Sequence, residues 1–315
     1  MLQNECGFGP VAIMAARYSF FQKEQPMHAT PDLICYKTMP VWTKNNIPPS
    51  ILNKHNTKAG TWGKLRVVQG RVKFHEMNEA GQTVAEHVLT PESDIWTIHP
   101  QAWHKAELMD DDSAFQLQFH CEKKDYFNKK YGMTATHSAV VDAARTVPHG
   151  GRALDLGCGQ GRNALYLGLL GFDVTACDFN RGPLAALEDM ADQENLRVQT
   201  EVYDMNRAAL AEEYDFMVAT VVFMFLDADR VPAIIHNMQA QTRPGGYNLI
   251  VSALDTEDYP CLMPFSFTFK EGELKKYYEG WEMVEYREEI GSMHATDAQG
   301  NPIQLKFVTM LARKP

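Results

Sequence analysis

The sequence DLGCGQG at residues 155–161 decides the fold class, because an apolar run precedes it and a stretch with helical spacing follows it. The apolar residues of that stretch include Leu165, Leu167 and Leu169. Glycine permits positive φ and close approach of a bound molecule to the backbone. We therefore predict a β-strand, a tight turn at 157–161, called the glycine turn below, and a helix that together hold a cofactor.

Acidic residues near the glycine turn predict which parts of that cofactor are bound. Asp155 precedes the glycines, and Asp178 ends the next predicted strand, FDVTACD. A carboxylate at the position of Asp178 can accept hydrogen bonds from both hydroxyls of a ribose. The third predicted strand, 196–203, leads to Asp204, which is suited to accept from an adenine amino group while Met205 packs on the ring. An α/β fold with an incidental glycine-rich turn is the alternative interpretation.

Strands and helical patterns alternate after residue 125, which predicts a right-handed βαβ sheet. The fourth strand is predicted at 214–222, the fifth at 246–254, and a final pair at 281–286 and 305–311. This order resembles class I S-adenosylmethionine-dependent methyltransferases, an α/β, Rossmann-like fold whose seven-stranded sheet has an antiparallel last strand. The resemblance implies S-adenosylmethionine as the cofactor.

The resemblance also implies a set of cofactor contacts. In and around the glycine turn and at the strand ends the candidates are Asp155, Gly157, Cys158, Gly159, Gly161, Asn163, Asp178, Asp204, Met205 and Thr220. A lid helix is predicted at 126–137, with Tyr131 and His137 facing the methionine end of the cofactor. Both residues also fit the packing face of an amphipathic helix.

Charge and the end of the fourth strand argue against a nucleic-acid substrate. The chain has 30 basic and 40 acidic residues, a net charge of −10, and no basic run interleaved with aromatic residues; nucleic-acid binders usually have a basic face. Amino-methylating DNA enzymes share an Asn/Asp-Pro-Pro-aromatic loop after this strand, whereas TVVFMF at 220–225 is apolar. No nucleic-acid partner is predicted.

Cysteine usage and hydropathy predict a cytoplasmic protein without a membrane span. The six cysteines lie far apart with no CxxC pair, which indicates neither a zinc site nor a disulfide framework. No window approaches the ~18 consecutive apolar residues of a membrane span, and the amino terminus lacks the basic start of a secretory signal. Homo-oligomerisation stays open, because sequence periodicity does not determine it.

Short β-rich runs separated by turn residues predict an all-β sandwich or barrel before residue 122, with hairpins at Gly70 and Gly81. The side chains predicted inside it are Leu65, Val67, Val72, Phe74, Val84, His87, Val88, Ile95, Trp96, Ile98, Phe115, Leu117 and Phe119. The stretches GTWGKLRVVQGRVKF and HPQAWHKAE resemble the cupin-like domain that some bacterial methyltransferases carry at the amino end. The predicted organisation is an N-terminal extension at 1–30, a cupin-like β domain at 31–122 and a methyltransferase domain at 123–315.

Four histidines of the β domain, His55, His75, His99 and His104, invite a metal-binding role, since cupins often bind a metal through histidines and a glutamate. The HxH pair of the family is absent, and the histidine of the second motif survives only as His104. No metal is therefore predicted, and ordinary histidines at a barrel mouth are favoured. A pocket for a small anion or an oligomer contact remains open.

Stretches over nearly all of residues 125–315 resemble the bacterial tellurite methyltransferase family. They are DYFNKKYGMTATHS, LDLGCGQGRNALYL, TVVFMFL, PGGYNLIVSALDTEDYPC, FTFKEGELKKYYEGWE and KFVTMLARK. The resemblance implies methyl transfer to a small inorganic oxyanion, tellurite and by extension selenite, in support of tellurite resistance. Tellurium(IV) carries a lone pair and the sulfonium is already activated, so alignment and exclusion of water are the main requirements.

His294 and Arg162 are the predicted catalytic residues, because an oxyanion needs cationic or N–H donors. His294 lies in the loop predicted between the last two strands. Family members have an arginine directly after this histidine and a basic residue after the following Gly-Asn, where this chain has Ala295 and Pro302. The departure leaves His294, with Arg162 or Lys306, as the positive group.

Two other functions remain open from the sequence. One is methylation of a small thiol or other soft nucleophile, which the apolar stretch at 223–225 would suit equally well. The other is a sensor in which the β domain binds a ligand and the methyltransferase fold is inactive. The complete set of predicted cofactor residues argues against the sensor.

Overall fold

The computed structural model describes residues 32–296 and 299–315, so the predicted extension at 1–30 lies outside the described residues. An all-β region comes first along the chain. Its elements are β1 (Leu33–Thr38), α1 (Pro49–Leu52), β2 (Trp62–Gln69), β3 (Val72–Met77), β4 (Thr83–Leu89), β5 (Trp96–Ile98), β6 (His104–Leu108) and β7 (Ala114–Glu122). The strands form one sheet in the order β1-β7-β2-β5 and a second in the order β4-β3-β6.

The interior of this region is formed largely by the side chains predicted for it. Most of the predicted residues are buried or pack against the buried cluster, but Val84, Val88 and Ile95 are at least half exposed. Side chains alternate between the two faces of a strand. His87 and Val88 are neighbours on β4 and cannot both face inward. The prediction of an interior position was wrong for Val84, Val88 and Ile95.

The two predicted hairpins differ in outcome. Gly81 lies between the antiparallel strands β3 and β4, as predicted. Gly70 connects β2 to β3, which belong to different sheets, so the predicted hairpin there was wrong. Gly70 has φ +65°, and a Cβ there would lie 2.9 Å from Ser113 Cα. Glycine is therefore needed at this position, because the chain passes close to Ser113 where it crosses from one sheet to the other.

The α/β region follows β7. Its helices and strands are α2 (Tyr126–Tyr131), α3 (Ser138–Ala143), β8 (Arg152–Leu156), α4 (Arg162–Leu169), β9 (Asp173–Asp178), α5 (Arg181–Gln193), β10 (Val198–Val202), β11 (Tyr214–Thr220), α6 (Val231–Ala240), β12 (Thr242–Ala253), α7 (Glu273–Tyr277), β13 (Glu282–Thr296) and β14 (Pro302–Arg313). Short 3-10 turns lie at Lys123–Asp125, Met205–Arg207 and Phe223–Phe225.

The seven strands β8 to β14 form one sheet in the order β10-β9-β8-β11-β12-β14-β13. The first five positions are parallel, and β14 is antiparallel to both β12 and β13. This arrangement confirms the predicted class I methyltransferase fold. The parallel strands all end at one edge of the sheet, which brings the residues after β8, β9, β10 and β11 together there.

The last two strands are much longer than predicted. β13 and β14 pair from Glu282 and Arg313 at one end to Thr296 and Pro302 at the other. β14 leaves its pairing with β12 at Phe307, and the hairpin continues beyond the rest of the sheet. His294, predicted in a loop, therefore lies within strand β13.

Contacts join the β region to the α/β region within the unit formed by residues 33–315. Lys129 on α2 donates through Nζ to the carbonyl of Ala59 at 3.0 Å and to Thr61 Oγ1 at 2.9 Å. Cys121 on β7 packs in the same buried cluster as Phe127 of α2. In the part of the chain that is described, no helix is long and apolar enough to cross a membrane.

Candidate active site

The glycine turn follows β8, and steric contacts at two positions require glycine. Gly157 has φ +68°, and a Cβ there would lie 2.3 Å from Val222 Cγ2. Gly161 has φ +82°, and a Cβ there would lie 2.4 Å from Leu187 Cδ1. L-residues are strained at such φ values. The turn thus brings its backbone close to Val222, just after β11, and to Leu187 in the middle of α5, and a side chain at either glycine would disrupt this packing.

Asp155 lies in β8 beneath the glycine turn and is fully buried. Its Oδ2 accepts a hydrogen bond from the backbone N–H of Ala164 at 3.0 Å, in the first turn of α4. Burial raises the pKa of Asp155 to about 7, because the charged form loses its hydration. The carboxylate therefore fixes α4 relative to β8, which is a positioning role.

Asp178 ends β9 with both carboxylate oxygens hydrogen-bonded to the backbone. Oδ2 accepts from the N–H of Gly159 at 2.8 Å, and Oδ1 accepts from the N–H of Asn180 at 2.8 Å. Each carboxylate oxygen has further lone pairs. The side chain is thus fixed next to the glycine turn and still has capacity to accept from ribose hydroxyls.

Phe179 follows Asp178 and is a residue that the sequence analysis missed. Its ring is 76% exposed, which is unusual for a large apolar side chain at a sheet edge. Asp204 and the buried Met205 follow β10 at the same edge, and Asp204 Oδ1 accepts from the N–H of Asn206 at 2.9 Å. An aromatic residue directly after Asp178, the acid predicted to bind the ribose, was the available signal for a surface on which an adenine ring can pack.

A hydrogen-bond chain connects three segments beside the turn. The backbone N–H of His137 donates to Asn163 Oδ1 at 3.1 Å, and Asn163 Nδ2 donates to Thr220 Oγ1 at 3.0 Å. Asn163 and Thr220 are buried. The chain joins the start of α3, the start of α4 and the end of β11, so these predicted residues lie together. Cys158, also buried, is held in the turn by its N–H, which donates to the carbonyl of Cys177 at 2.9 Å.

Tyr131 is not part of this group. Its hydroxyl donates to Glu194, which also accepts from Tyr126 at 2.8 Å and from Lys130 at 2.6 Å. Glu194 follows the carboxyl end of α5, whereas Asp178 precedes the start of that helix. The hydroxyl of Tyr131 is thus held by a carboxylate at the far end of α5, and its predicted contact with the cofactor stays a prediction.

A cavity of about 490 Å³ lies beside the glycine turn. Strands β13 and β14 form one wall, so we call it the hairpin cavity. Its charged and imidazole lining residues are His137, Asp142, Arg162, Arg287 and Glu289, and its main apolar lining residues are Val221, Met224, Phe225, Val251, Met293 and Phe307. The glycines of the turn and Asp178 do not line it. His137, a predicted cofactor contact, does line it, so the cavity adjoins the predicted cofactor site and shares His137 with it.

Arg162 is a cation of the hairpin cavity that interacts with the buried Asp155 at longer range than an ion pair. Arg287 contacts Glu285 at 2.5 Å and Glu289 at 3.3 Å. Arg162 donates to the carbonyl of Ala135 at 3.4 Å and, among the described residues, forms no ion pair within 4.0 Å. Burial lowers the pKa of Arg162, although the guanidinium remains charged. An anion in the cavity would find this group available.

The other two predicted cations contribute less to what the structure shows. The His294 side chain lies outside the described residues, so its predicted role stays a prediction. Lys306 Nζ contacts both carboxylate oxygens of Asp258 at 3.0 Å, and Lys306 does not line the hairpin cavity. The alternative that Lys306 supplies the positive group therefore receives no support from this geometry.

The β-domain histidines form contacts with protein groups. His75 lies between two carboxylates, with Nε2 2.9 Å from Glu107 and Nδ1 3.1 Å from Glu86. The rings of His55 and His104 are 4.2 Å apart, and burial lowers the pKa of His104 to about 4. Across residues 32–296 and 299–315, no group of three or more metal-ligating side chains is close enough to hold an ion.

Comparison with known proteins identifies the family. Residues 119–311 match the family "Tellurite resistance protein TehB", and residues 37–117 match the "TehB-like domain". The chain is 57% identical over 283 residues to "Probable S-adenosyl-L-methionine-dependent methyltransferase TehB" of Haemophilus influenzae (strain 10810), covering 90% of this chain and 99% of the relative. It is 62% identical over 240 residues to "Hemagglutinin 1" of Eikenella corrodens, covering 76% and 80% of the two chains.

A solved structure agrees with this assignment. The crystal structure of TehB from Haemophilus influenzae superposes with a TM-score of 0.87 at 56% identity, covering 90% of this chain and 99% of that one. The sheet order, the glycine turn and these relatives together show that the chain belongs to the TehB tellurite resistance family and is an S-adenosylmethionine-dependent methyltransferase.

Proposed function

We propose that this enzyme transfers the methyl group of S-adenosylmethionine to tellurite and selenite, and so contributes to tellurite resistance. The observation that carries the proposal is Arg162, a half-buried guanidinium that forms no ion pair within 4.0 Å among the described residues and lines the hairpin cavity directly after the glycine turn. The family name and the apolar remainder of the cavity support it. The free thiols of Cys158 and Cys177 suit a reducing cytoplasm.

The residues around the glycine turn fit S-adenosylmethionine. Asp178 would accept from the ribose hydroxyls, Phe179 and Met205 would pack against the adenine, and Asp204 would accept from its amino group. The glycine turn has no side chains at 157, 159 and 161 and so lets the cofactor approach the backbone closely. When bound, the cofactor supplies a methyl group on a positively charged sulfur.

Transfer to tellurite needs few protein groups. The lone pair of tellurium forms the bond to the methyl carbon while the carbon–sulfur bond breaks, and its electron pair stays on the sulfur. No proton has to be removed from the nucleophile, so a general base is unnecessary. Arg162 would hold an oxygen of the anion by a charge-assisted hydrogen bond, and the apolar walls would exclude water. His294 is the second group that we propose on the anion.

The experiment is the formation of S-adenosylhomocysteine by purified protein with tellurite, selenite, a small thiol or no acceptor. We expect turnover with tellurite and with selenite, and none in the absence of an acceptor. Arg162→Gln should lower kcat/KM for tellurite by roughly 100-fold, and His294→Ala should lower it as well. Arg66→Gln, at an exposed position on β2, is the matched control and should leave turnover unchanged.

Other outcomes would contradict the proposal. Turnover with the thiol alone would show an enzyme for soft organic nucleophiles, and cofactor binding without turnover would favour the sensor hypothesis. An Arg162→Gln variant with undiminished tellurite turnover would remove Arg162 from the anion site.

A further inference from the structure

The hairpin cavity is larger than an inorganic oxyanion requires. Water occupies about 30 Å³ per molecule in the liquid, so an anion of four heavy atoms needs on the order of 100 Å³ on the same scale. The cavity of about 490 Å³ is within the usual size range of pockets that hold organic ligands. The volume thus leaves space for a substituent beside the reacting atom.

The chemistry of the lining indicates what kind of substituent fits. Val221, Met224, Phe225 and Phe307 form apolar surface, and Met224 and Met293 contribute polarizable thioethers that suit aromatic partners. Asp142 pairs with Arg145 at 3.2 Å, and Arg287 is already paired, with Glu285 at 2.5 Å and with Glu289 at 3.3 Å. Arg162 is left as one available positive charge at the border with the glycine turn.

Exposure at the cavity mouth gives an independent observation. Phe225 lines the cavity with 64% of its surface exposed, and Ile290 lines it with 55% exposed. Phe225 is held edge-on against Phe265, with ring centroids 5.7 Å apart. Large apolar groups left open around a pocket are typical of a site for an apolar ligand.

We propose that the hairpin cavity also accepts organic chalcogenolates, namely selenolates and thiolates that carry a small alkyl or aryl group. The inference rests on the proposed function, since it assigns a wider substrate class to the same acceptor site. The negative selenium or sulfur lies near Arg162, and the organic group packs against Phe225, Met224 and Met293.

The transfer step is balanced without a further reactant. A lone pair of the selenolate forms the selenium–carbon bond, the carbon–sulfur bond of the cofactor breaks, and its electron pair remains on sulfur. The products are a neutral methyl selenide and S-adenosylhomocysteine. The acceptor enters as an anion, so no proton moves and no reductant takes part in the step.

The test compares benzeneselenolate, prepared anaerobically from diphenyl diselenide, with tellurite in separate assays of methyl transfer. The full-length wild type should form methyl phenyl selenide faster than the cofactor does without enzyme. Phe225→Ala should lower kcat/KM for benzeneselenolate by at least about tenfold and lower that for tellurite less, because the small anion has no organic group to pack on the ring. Leu262→Ala is the matched control, because Leu262 is 91% exposed and does not line the cavity.

The outcomes separate this inference from the proposed function. Tellurite turnover without benzeneselenolate turnover would overturn the inference alone, and so would a Phe225→Ala variant that methylates benzeneselenolate as well as the wild type. Benzeneselenolate turnover without tellurite turnover would support the inference and overturn the proposed oxyanion substrate. Cofactor binding with turnover of neither acceptor would overturn both.

Discussion

The glycine turn and the hairpin cavity lie at the same edge of the sheet, but they differ in how many of their polar groups already have a partner in the protein. In the turn, the N–H groups of Cys158, Gly159 and Gly161 all donate to protein acceptors. In the cavity, Arg162 has no ion-pair partner among the described residues, and Phe225 is mostly exposed. The comparison teaches that the cofactor side is organised before a ligand arrives, while the acceptor side presents groups that a ligand would satisfy.

The largest effect is expected from Gly157→Ala, which breaks the organised side. The new Cβ would lie 2.3 Å from Val222 Cγ2 at a φ of +68°, which should cost about 4 kcal/mol of unfolding free energy and abolish cofactor binding. Urea unfolding and calorimetry with S-adenosylhomocysteine measure both. Gly132→Ala is the control, since its φ is +72° with no atom within 4 Å; equal cofactor affinity in the two variants would contradict a binding role for the turn.

Asp155 gives a pH-dependent test of the same side. Its pKa of about 7 lies above its ordinary value of 3.8, so the folded state binds this proton more tightly than the unfolded state. The stabilisation is complete at low pH, declines as pH rises between these two values and is absent above about 7. The unfolding free energy of the wild type minus that of Asp155→Asn should therefore fall by about 2 to 4 kcal/mol across this window. If the difference in unfolding free energy does not depend on pH, burial does not raise the pKa of Asp155.

Asp178→Asn tests one acceptor group beside the glycine turn. An amide has one oxygen, so it cannot accept from both Gly159 and Asn180 and also from a ribose. We expect the Kd for S-adenosylhomocysteine to rise roughly 10- to 100-fold, measured by calorimetry. Asp173→Asn, at the start of the same strand, should bind the cofactor like the wild type, and a similar loss there would indicate a general effect of charge.

The smallest effect is expected from Tyr131→Phe. The hydroxyl donates to Glu194 and not into the site, so its loss should cost about 1 kcal/mol of unfolding free energy and leave cofactor affinity unchanged. Phe179→Ala provides the contrast, because removal of that exposed ring should weaken cofactor binding. Weaker binding by Tyr131→Phe would instead support the predicted contact between Tyr131 and the cofactor.

The organised side could be predicted from sequence because its determinants are local. The turn and the positions of Asp155 and Asp178 follow from three neighbouring features: a strand, three closely spaced glycines and an acid at the end of the next strand. The sheet order follows from the alternation of strands and helices. The exposed ring of Phe179 was accessible to the same reasoning, since it directly follows the acid.

The rest depended on contacts between distant parts of the chain. Nothing near Tyr131 in sequence indicates that Glu194 accepts from its hydroxyl. The sequence did not show which face of β4 points into the interior. Both His87 and Val88 are compatible with an interior position until pairing with β3 selects one face. The hairpin cavity also escaped prediction, since it depends on how far β13 and β14 extend together, and their sequences contain polar and apolar residues on both faces.

The extended hairpin has a consequence for how acceptor preference can change. Seven residues of β13 line the hairpin cavity, and so do Phe307 and Thr309 on β14; the seven are Arg287, Glu289, Ile290, Gly291, Ser292, Met293 and Ala295. Gly291 among them leaves space that a side chain would fill, since a Cβ there would lie 3.1 Å from the Phe307 ring. None of these positions belongs to the glycine turn. The size and charge of the proposed acceptor site can therefore be altered one residue at a time on a single strand, while the residues proposed to bind the methyl donor stay the same.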